Sequence, residues 1–343
     1  MPNQPLSYKS RLTLTDDLES SILTDGRYLT PDQRDGAVYV YGPELKLAVE
    51  VAMATDRPLL LRGEPGSGKS SLAAYIARNL NWRYYEFNVA ARTRARDLLW
   101  THDSIRRLKD AQVKSFTNAE PNDYDYIEPG VFWWVFDRET AKRRGAPSGK
   151  EPAVPAVEPN QAINETRSPY HAVLLIDEID KADPDVPNDL LVPLGLLLFR
   201  VDETGTEVSR QNSMQSQNPE NELTNLLIII TTNEERELPQ AFLRRCVVHQ
   251  LKHPDQDQLV KIAERQFQRV KKLTGHDLHL FELIAAEVQK YRNQAKESGA
   301  RKPGTAEYLD AVRACLRLEI KTDSPEWQSI AAAVLRKHPQ LEE

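Results

Sequence analysis

Cysteine is scarce: the 343 residues contain two, Cys246 and Cys315. That excludes a disulfide framework or a cysteine-based zinc site and fits a reducing compartment. Long apolar runs are missing as well. The longest, residues 190–199, is ten residues and includes Pro193 and Gly195, too short for a hydrocarbon core of about 30 Å. The N-terminal stretch carries Asp16, Asp17 and Glu19 without a continuous apolar segment, so it lacks the form of a secretory signal, and the expected location is cytoplasmic. One-sided charge is absent too. Fifty-one acidic against forty-five basic residues leave a net charge of -6, which argues against coating nucleic acid through bulk charge and leaves room only for a local basic patch.

What is present is globular. Apolar residues make up 40% and charged ones 28%, close to the average soluble domain, and the length corresponds to about two domains. From residue 58 short apolar runs alternate with amphipathic stretches, the pattern of an α/β unit with a largely parallel sheet. Strands are predicted at 58–62, 84–89, 172–176, 226–231 and 247–251. The third and fourth are almost wholly apolar, as central strands buried on both faces should be. A helix is predicted over 43–54, with Pro43 in its first turn and Leu45, Ala48, Val49 and Ala52 on one face. Beyond 254 the pattern becomes helical, at 256–272, 278–295 and 305–319. Two segments stand apart: 141–170 holds five prolines among small and polar residues, and 211–222 is almost entirely polar. Both are expected to be mobile insertions. No internal repeat is present.

Gly63-Glu64-Pro65-Gly66-Ser67-Gly68-Lys69-Ser70 matches the phosphate-binding loop G-x-x-x-x-G-K-[ST], between an apolar strand and a helical segment at 70–80, whose Ser71 is counted with the nucleotide-binding residues. Glycines let backbone N–H groups turn towards phosphate oxygens, and the following helix N-terminus adds partial positive charge. Lys69 is placed for the β and γ phosphates and the Ser70 hydroxyl for Mg²⁺. The loop reads phosphate only. No N-K-x-D guanine-reading motif is present, which favours ATP.

Val173-Leu174-Leu175-Ile176-Asp177-Glu178 is a buried strand ending in two carboxylates, at the edge where open α/β sheets bind ligands. Taken alone, it is equally a strand followed by a solvated acidic turn. Together with the loop at 63–70, Asp177 is the candidate Mg²⁺ ligand and Glu178 the candidate base for an attacking water. The strand at 226–231 leads to Asn233, a candidate for positioning that water or simply a turn former. A short helical stretch at 239–245 ends in Arg244 and Arg245, suited to stabilising charge on a γ phosphate.

With these motifs in this order, the chain resembles an AAA+ ATPase, and residues 177–184 (DEIDKADP) and 241–246 (AFLRRC) resemble its MoxR group. The resemblance covers roughly residues 38–316. It implies a P-loop α/β core with a parallel five-stranded sheet at 38–254, a small all-helical lid at 255–323, an N-terminal extension at 1–37 and a tail at 324–343. It further implies a homo-oligomeric, usually hexameric ring in which Arg245, or Arg244 as second choice, completes the neighbour's ATP and Mg²⁺ site. In this clade an insert, about 91–139 here, carries a β-hairpin, to which 126–134 is assigned. Trp133 and Trp134 then become candidate partner contacts, unless one of them packs on the sheet. A second hairpin falls at 199–208. One departure is Ala306, which stands where relatives place a sensing arginine; Arg301 and Lys302 are the nearby replacements.

The resemblance points to ATP-driven remodelling of protein complexes, with a partner bearing a von Willebrand factor A domain on another polypeptide. The alternative is a nucleic-acid-associated motor using Arg92, Arg94, Arg96, Arg106, Arg107 and Lys109. Interspersed arginines are usually a solvated helix face, and the acidic balance disfavours this reading. A nucleotide-gated scaffold with little turnover would not need Glu178.

Overall fold

The structure is a computed structural model that describes residues 10–16, 35–114, 122–210 and 224–336. The predicted insertion at 211–222 lies outside the described residues. Internal contacts divide the chain into two compact units. The first is built chiefly of Glu44–Leu61 and Leu80–His249, the second of Thr13–Pro43, Arg62–Asn79 and Gln250–Glu343.

The first unit is organised by a five-stranded parallel sheet in the order β2-β5-β8-β1-β9. Its strands are β1 Leu59–Arg62, β2 Trp82–Asn88, β5 Ser168–Asp177, β8 Leu226–Thr232 and β9 Val247–Gln250. Each contains most of a predicted apolar run. β8 is buried along its whole length, as are the last six residues of β5. This is why the two read as continuous hydrophobic stretches in the sequence. Parallel register sets Asn88 opposite Asp177 and Ile176 opposite Ile230, so the carboxyl ends of β2, β5 and β8 share one edge.

Two antiparallel ribbons flank the sheet. β6 Leu198–Arg200 pairs with β7 Glu207–Ser209, the hairpin expected at 199–208. The other ribbon corrects an expectation. Tyr126 to Trp134 is not a hairpin: β4 Ile127–Pro129 pairs with β3 Trp100–His102, and Val131–Phe136 is a short helix. The Pro129-Gly130 pair is therefore a strand-to-helix junction, with Gly130 as the helix N-cap. Trp133 and Trp134 are 0% and 1% exposed in the main core, beside Phe132 and Phe136, and the Trp133 indole donates to Thr140 Oγ1 at 3.0 Å. They are packing residues, with no surface to offer a partner.

Residues 141–170 also differ from expectation, because the segment packs through polar groups. Asn164 is fully buried. Its Oδ1 accepts from the Tyr84 N–H at 2.8 Å and its Nδ2 donates to the Tyr84 carbonyl at 3.2 Å and to Pro159 O at 3.0 Å. β2 is an edge strand, and the asparagine amide satisfies both backbone groups of Tyr84 as a neighbouring strand would. Glu158, also buried, accepts from the Tyr85 hydroxyl at 2.6 Å and from Arg138 Nη2 at 2.6 Å. Burial pushes the Tyr85 phenol up from its ordinary value.

The second unit contains the helix Lys69–Asn79 and the helices Gln256–Gln268, Gly275–Ser298 and Thr305–Leu318. The last three share a core of Leu259, Phe267, Phe281, Val288, Tyr308 and Val312. Asp255 and Thr274 cap two of them through side-chain acceptors. This core continues past the predicted boundary at 323, since Trp327, Ala331 and Leu335 are buried in it. Among the described residues no helix is long and apolar enough to cross a membrane.

Candidate nucleotide site

In the second unit the chain leaves the end of β1 into the phosphate loop. Gly63 has φ +151°, and a Cβ there would lie 2.5 Å from the Leu251 carbonyl oxygen. Gly66, at φ +76°, passes so close to Gly304 that a Cβ would lie 3.2 Å from its Cα. Only glycine fits both places. The helix begins at Lys69, with Ser70 and Ser71 half-buried in its first turn. Lys69 is buried, and its ammonium donates to the Gly63 carbonyl at 2.7 Å and to that of Glu64 at 3.0 Å. The Ser67 hydroxyl is buried with no hydrogen-bond partner among the described residues.

The C-terminal helices meet this loop within the same unit. The Thr305 N–H donates to the Gly66 carbonyl at 2.9 Å. Exposed Glu64 takes the Lys302 ammonium on Oε1 at 2.6 Å and the His253 ring on Oε2 at 3.0 Å. The hydrogen bond from Lys302 chiefly lowers the Glu64 pKa. Burial lowers that of His253, against the pull of Glu64. Ala306 lies in the first turn of helix Thr305–Leu318, and Arg301 is engaged by Glu307 at 2.6 Å. Of the two predicted replacements, Lys302 is the one that touches the loop.

In the first unit, Asp177 ends β5 and Glu178 follows in the left-handed region, at φ 59° and ψ 52°, a conformation uncommon for a residue with a side chain. Thr231 ties the two together: its hydroxyl donates to Asp177 Oδ1 at 2.6 Å and accepts from the Glu178 N–H at 2.8 Å. Asp177 is buried, whereas the Glu178 carboxylate is one-third exposed. Glu178 Oε1 accepts from Asn233 Nδ2 at 3.0 Å and Oε2 from Lys181 Nζ at 2.5 Å. Buried Asp180 accepts from the N–H groups of Asn233 and Glu235 at 3.2 and 2.9 Å.

Asp177, Glu178 and Asn233, expected from their motifs, come together at one sheet edge. Thr231, Asp180 and Lys181 join them there without having been expected as site residues. Thr231-Thr232 at the end of an otherwise apolar strand was the available signal, since a buried hydroxyl needs a partner. Arg244 and Arg245 are exposed after the short helix Gln240–Leu243. Arg245 Nη1 donates to the Ala241 carbonyl at 3.1 Å, and the Arg244 carbonyl accepts from Arg57 at 2.9 Å.

A parallel sheet with a glycine phosphate loop after β1 and a carboxylate pair at the end of β5 defines a P-loop nucleoside triphosphatase. More particularly, residues 58–246, over half of the chain, match the family described as AAA domain, dynein-related subfamily. The chain belongs to that family and is an ATPase of the AAA+ class. It is also similar to a solved structure, the Thermotoga maritima RuvB Holliday junction branch migration motor. That match has 14% identity and a TM-score of 0.40, over 84% of this chain and 67% of that one. No curated protein matches the chain in sequence.

Proposed function

We propose that the protein hydrolyses ATP with Mg²⁺ as a MoxR-like ring ATPase, and that hydrolysis drives remodelling or assembly of protein complexes. The observation that carries the hydrolytic part is the setting of Glu178, a part-exposed carboxylate whose two oxygens are oriented by Asn233 and Lys181. The phosphate loop fits its guest. Gly63 and Gly66 leave the backbone approachable, and the unpartnered Ser67 hydroxyl adds a donor. Lys69, now satisfied by its own loop's carbonyls, exchanges them for the β and γ phosphate oxygens, with Glu64, Pro65, Gly68 and Ser71 completing the cradle.

Ser70 and Asp177 would hold Mg²⁺, and a hydroxyl with a carboxylate suits that hard cation. The ion, when bound, neutralises charge on the transferring phosphate. Glu178 then takes the proton of the attacking water, and Asn233 fixes the direction of its carboxylate. Arg245, with Arg244 as second choice, is exposed and would complete the phosphate site of a neighbouring subunit in a ring of six. A partner carrying a von Willebrand factor A domain and a protein client follow from the MoxR resemblance.

The basic surface does not favour the nucleic-acid reading. Arg96 pairs with Glu203, Arg106 with Asp110 and Arg107 with Asp123. Glu178→Gln tests the hydrolytic reading: ATP binding persists and turnover falls about a hundredfold or more, whereas Lys69→Ala loses both. A Glu178→Gln rate within a few-fold of the parent removes Glu178 as base.

A further inference from the structure

The amino ends of β2, β5 and β8, opposite the acidic edge, surround a cavity of about 480 Å³, within the range of small-molecule sites. Four arginines line it, Arg83, Arg138, Arg143 and Arg210, against two carboxylates, Asp137 and Glu139. The carboxylates already have work in the fold. Asp137 caps the following helix by accepting from Thr140 N at 3.0 Å, and Glu139 pairs with Lys142 at 3.0 Å. Two of the arginines are likewise matched, Arg138 by Glu158 and Arg210 by Asp56.

Arg83 is different. It is 4% exposed, on the second residue of β2. Its Nη1 donates to the Tyr85 hydroxyl at 2.8 Å and to the Trp134 carbonyl at 3.4 Å, and its guanidinium lies 5.6 Å from the Tyr85 ring centroid. None of these partners is an anion, and its Nε is buried with no hydrogen-bond partner among the described residues. The carboxylate nearest along these bonds, Glu158, lies behind the Tyr85 hydroxyl and is already paired with Arg138; a buried guanidinium without a direct ion pair is costly, and here it lines a space large enough to admit an anion. Exposed Arg143 adds a second cation, attracted to the Glu151 carboxylate but in no ion-pair contact among the described residues. Val135, Phe136, Pro169 and Tyr170 add apolar lining.

We propose that this cavity binds a phosphorylated small molecule, separately from the nucleotide at the phosphate loop. Cations converge on it from separate elements: β2, the turn after helix Arg138–Lys142 and the segment after β7. A tetrahedral phosphate offers three oxygens to donors arriving from several directions, whereas a carboxylate offers two in one plane. The apolar lining accommodates the body that bears the phosphate. Register sets Arg83 opposite Ala172 and Asn88 opposite Asp177, so the cavity lies about 17 Å from the acidic edge at the usual rise per residue.

The test is calorimetric titration of pyrophosphate into protein saturated with ADP, so that the phosphate loop is already filled. One further binding event is expected, with citrate binding at least tenfold more weakly. Arg143→Gln, at an exposed position, weakens pyrophosphate binding about tenfold, the worth of one charge-assisted hydrogen bond. Arg83→Gln weakens it at least as much. ADP affinity stays unchanged in both variants and reports that they are folded; if Arg83→Gln does not fold, Arg143→Gln alone decides. Absence of a second event, equal binding of citrate, or pyrophosphate affinity unaltered in the folded variants overturns the proposal.

Discussion

Asp180 shows how one buried carboxylate can govern a neighbouring site without facing it. Its Oδ2 accepts the backbone N–H groups of Asn233 and Glu235 and so fixes the backbone from which the Asn233 amide reaches Glu178. Asp180→Ala leaves two amides without that acceptor, a cost of about 1–3 kcal/mol each where the group stays buried. The expected result is kcat down at least about tenfold with nucleotide affinity within a few-fold, partly rescued by Asp180→Asn, which keeps an oxygen acceptor. Steady-state rates with direct nucleotide titration check it; an equal loss in all substitutions argues for simple unfolding. A second residue-scale prediction concerns pH. The Glu64 pKa is lowered mainly by Lys302, so that interaction is present above the carboxylate's unfolded pKa and lost as pH falls through its lowered folded value. His253 is lowered by burial, so the unfolded chain binds its proton more readily, and stability falls as pH drops below about 6.5. The histidine acts from about pH 6.5 downwards, whereas Glu64 acts only below about 4.5, its ordinary value, so His253 alone sets the trend above pH 5. The melting temperature should therefore fall from pH 7 to pH 5, and less steeply in His253→Gln, which a thermal scan across pH will show.

At the scale of elements, the strands were legible because burial on both faces leaves nearly unbroken apolar runs such as Leu226–Ile230. The amphipathic C-terminal helices were legible from their period. The site motifs were legible because strand ends carry them: Gly63 after β1, Asp177 at the end of β5. Two elements were not, each for a physical reason. Val131–Phe136 is an unbroken apolar run of six, which has no period, so strand and helix look alike, and Pro129-Gly130 serves a hairpin turn and a helix entry equally well. In residues 141–170 polarity does not mean solvation. Asn164 and Glu158 are buried by making hydrogen bonds, and a sequence does not show where the partners lie. Asn164→Ala should therefore destabilise the protein by about 1–3 kcal/mol, since the Tyr84 N–H loses its acceptor at the edge of β2 and the Tyr84 carbonyl keeps only the longer bond from Asn160. Chemical denaturation measures this, and replacement of the segment by a Gly-Ser linker should cost soluble protein. Wild-type stability in the asparagine variant would show that water satisfies Tyr84 equally well.

At the scale of the molecule, the acidic edge carries the Glu178 carboxylate with Asn233 and Lys181 bonded to it, while Arg244 and Arg245 are exposed after helix Gln240–Leu243. Among the described residues the Arg245 guanidinium donates to the Ala241 carbonyl of the preceding helix, a weak use for a cation suited to phosphate. An assembly in which each subunit lends this arginine to its neighbour gives it a function, and makes activity depend on association. Specific ATPase activity should rise with protein concentration as the oligomer forms. Arg245→Ala and Glu178→Gln proteins should each be nearly inactive alone, by about a hundredfold or more for the base. Mixed, they should recover part of the parental rate, because some interfaces then join an intact Glu178 from one subunit to an intact Arg245 from the next. If Arg244 is the residue that crosses, Arg244→Ala complements Glu178→Gln and Arg245→Ala keeps activity of its own. Full activity in a monomer by sedimentation, or no recovery from either mixture at any ratio while the mixed proteins co-assemble, would show that each chain completes its site alone.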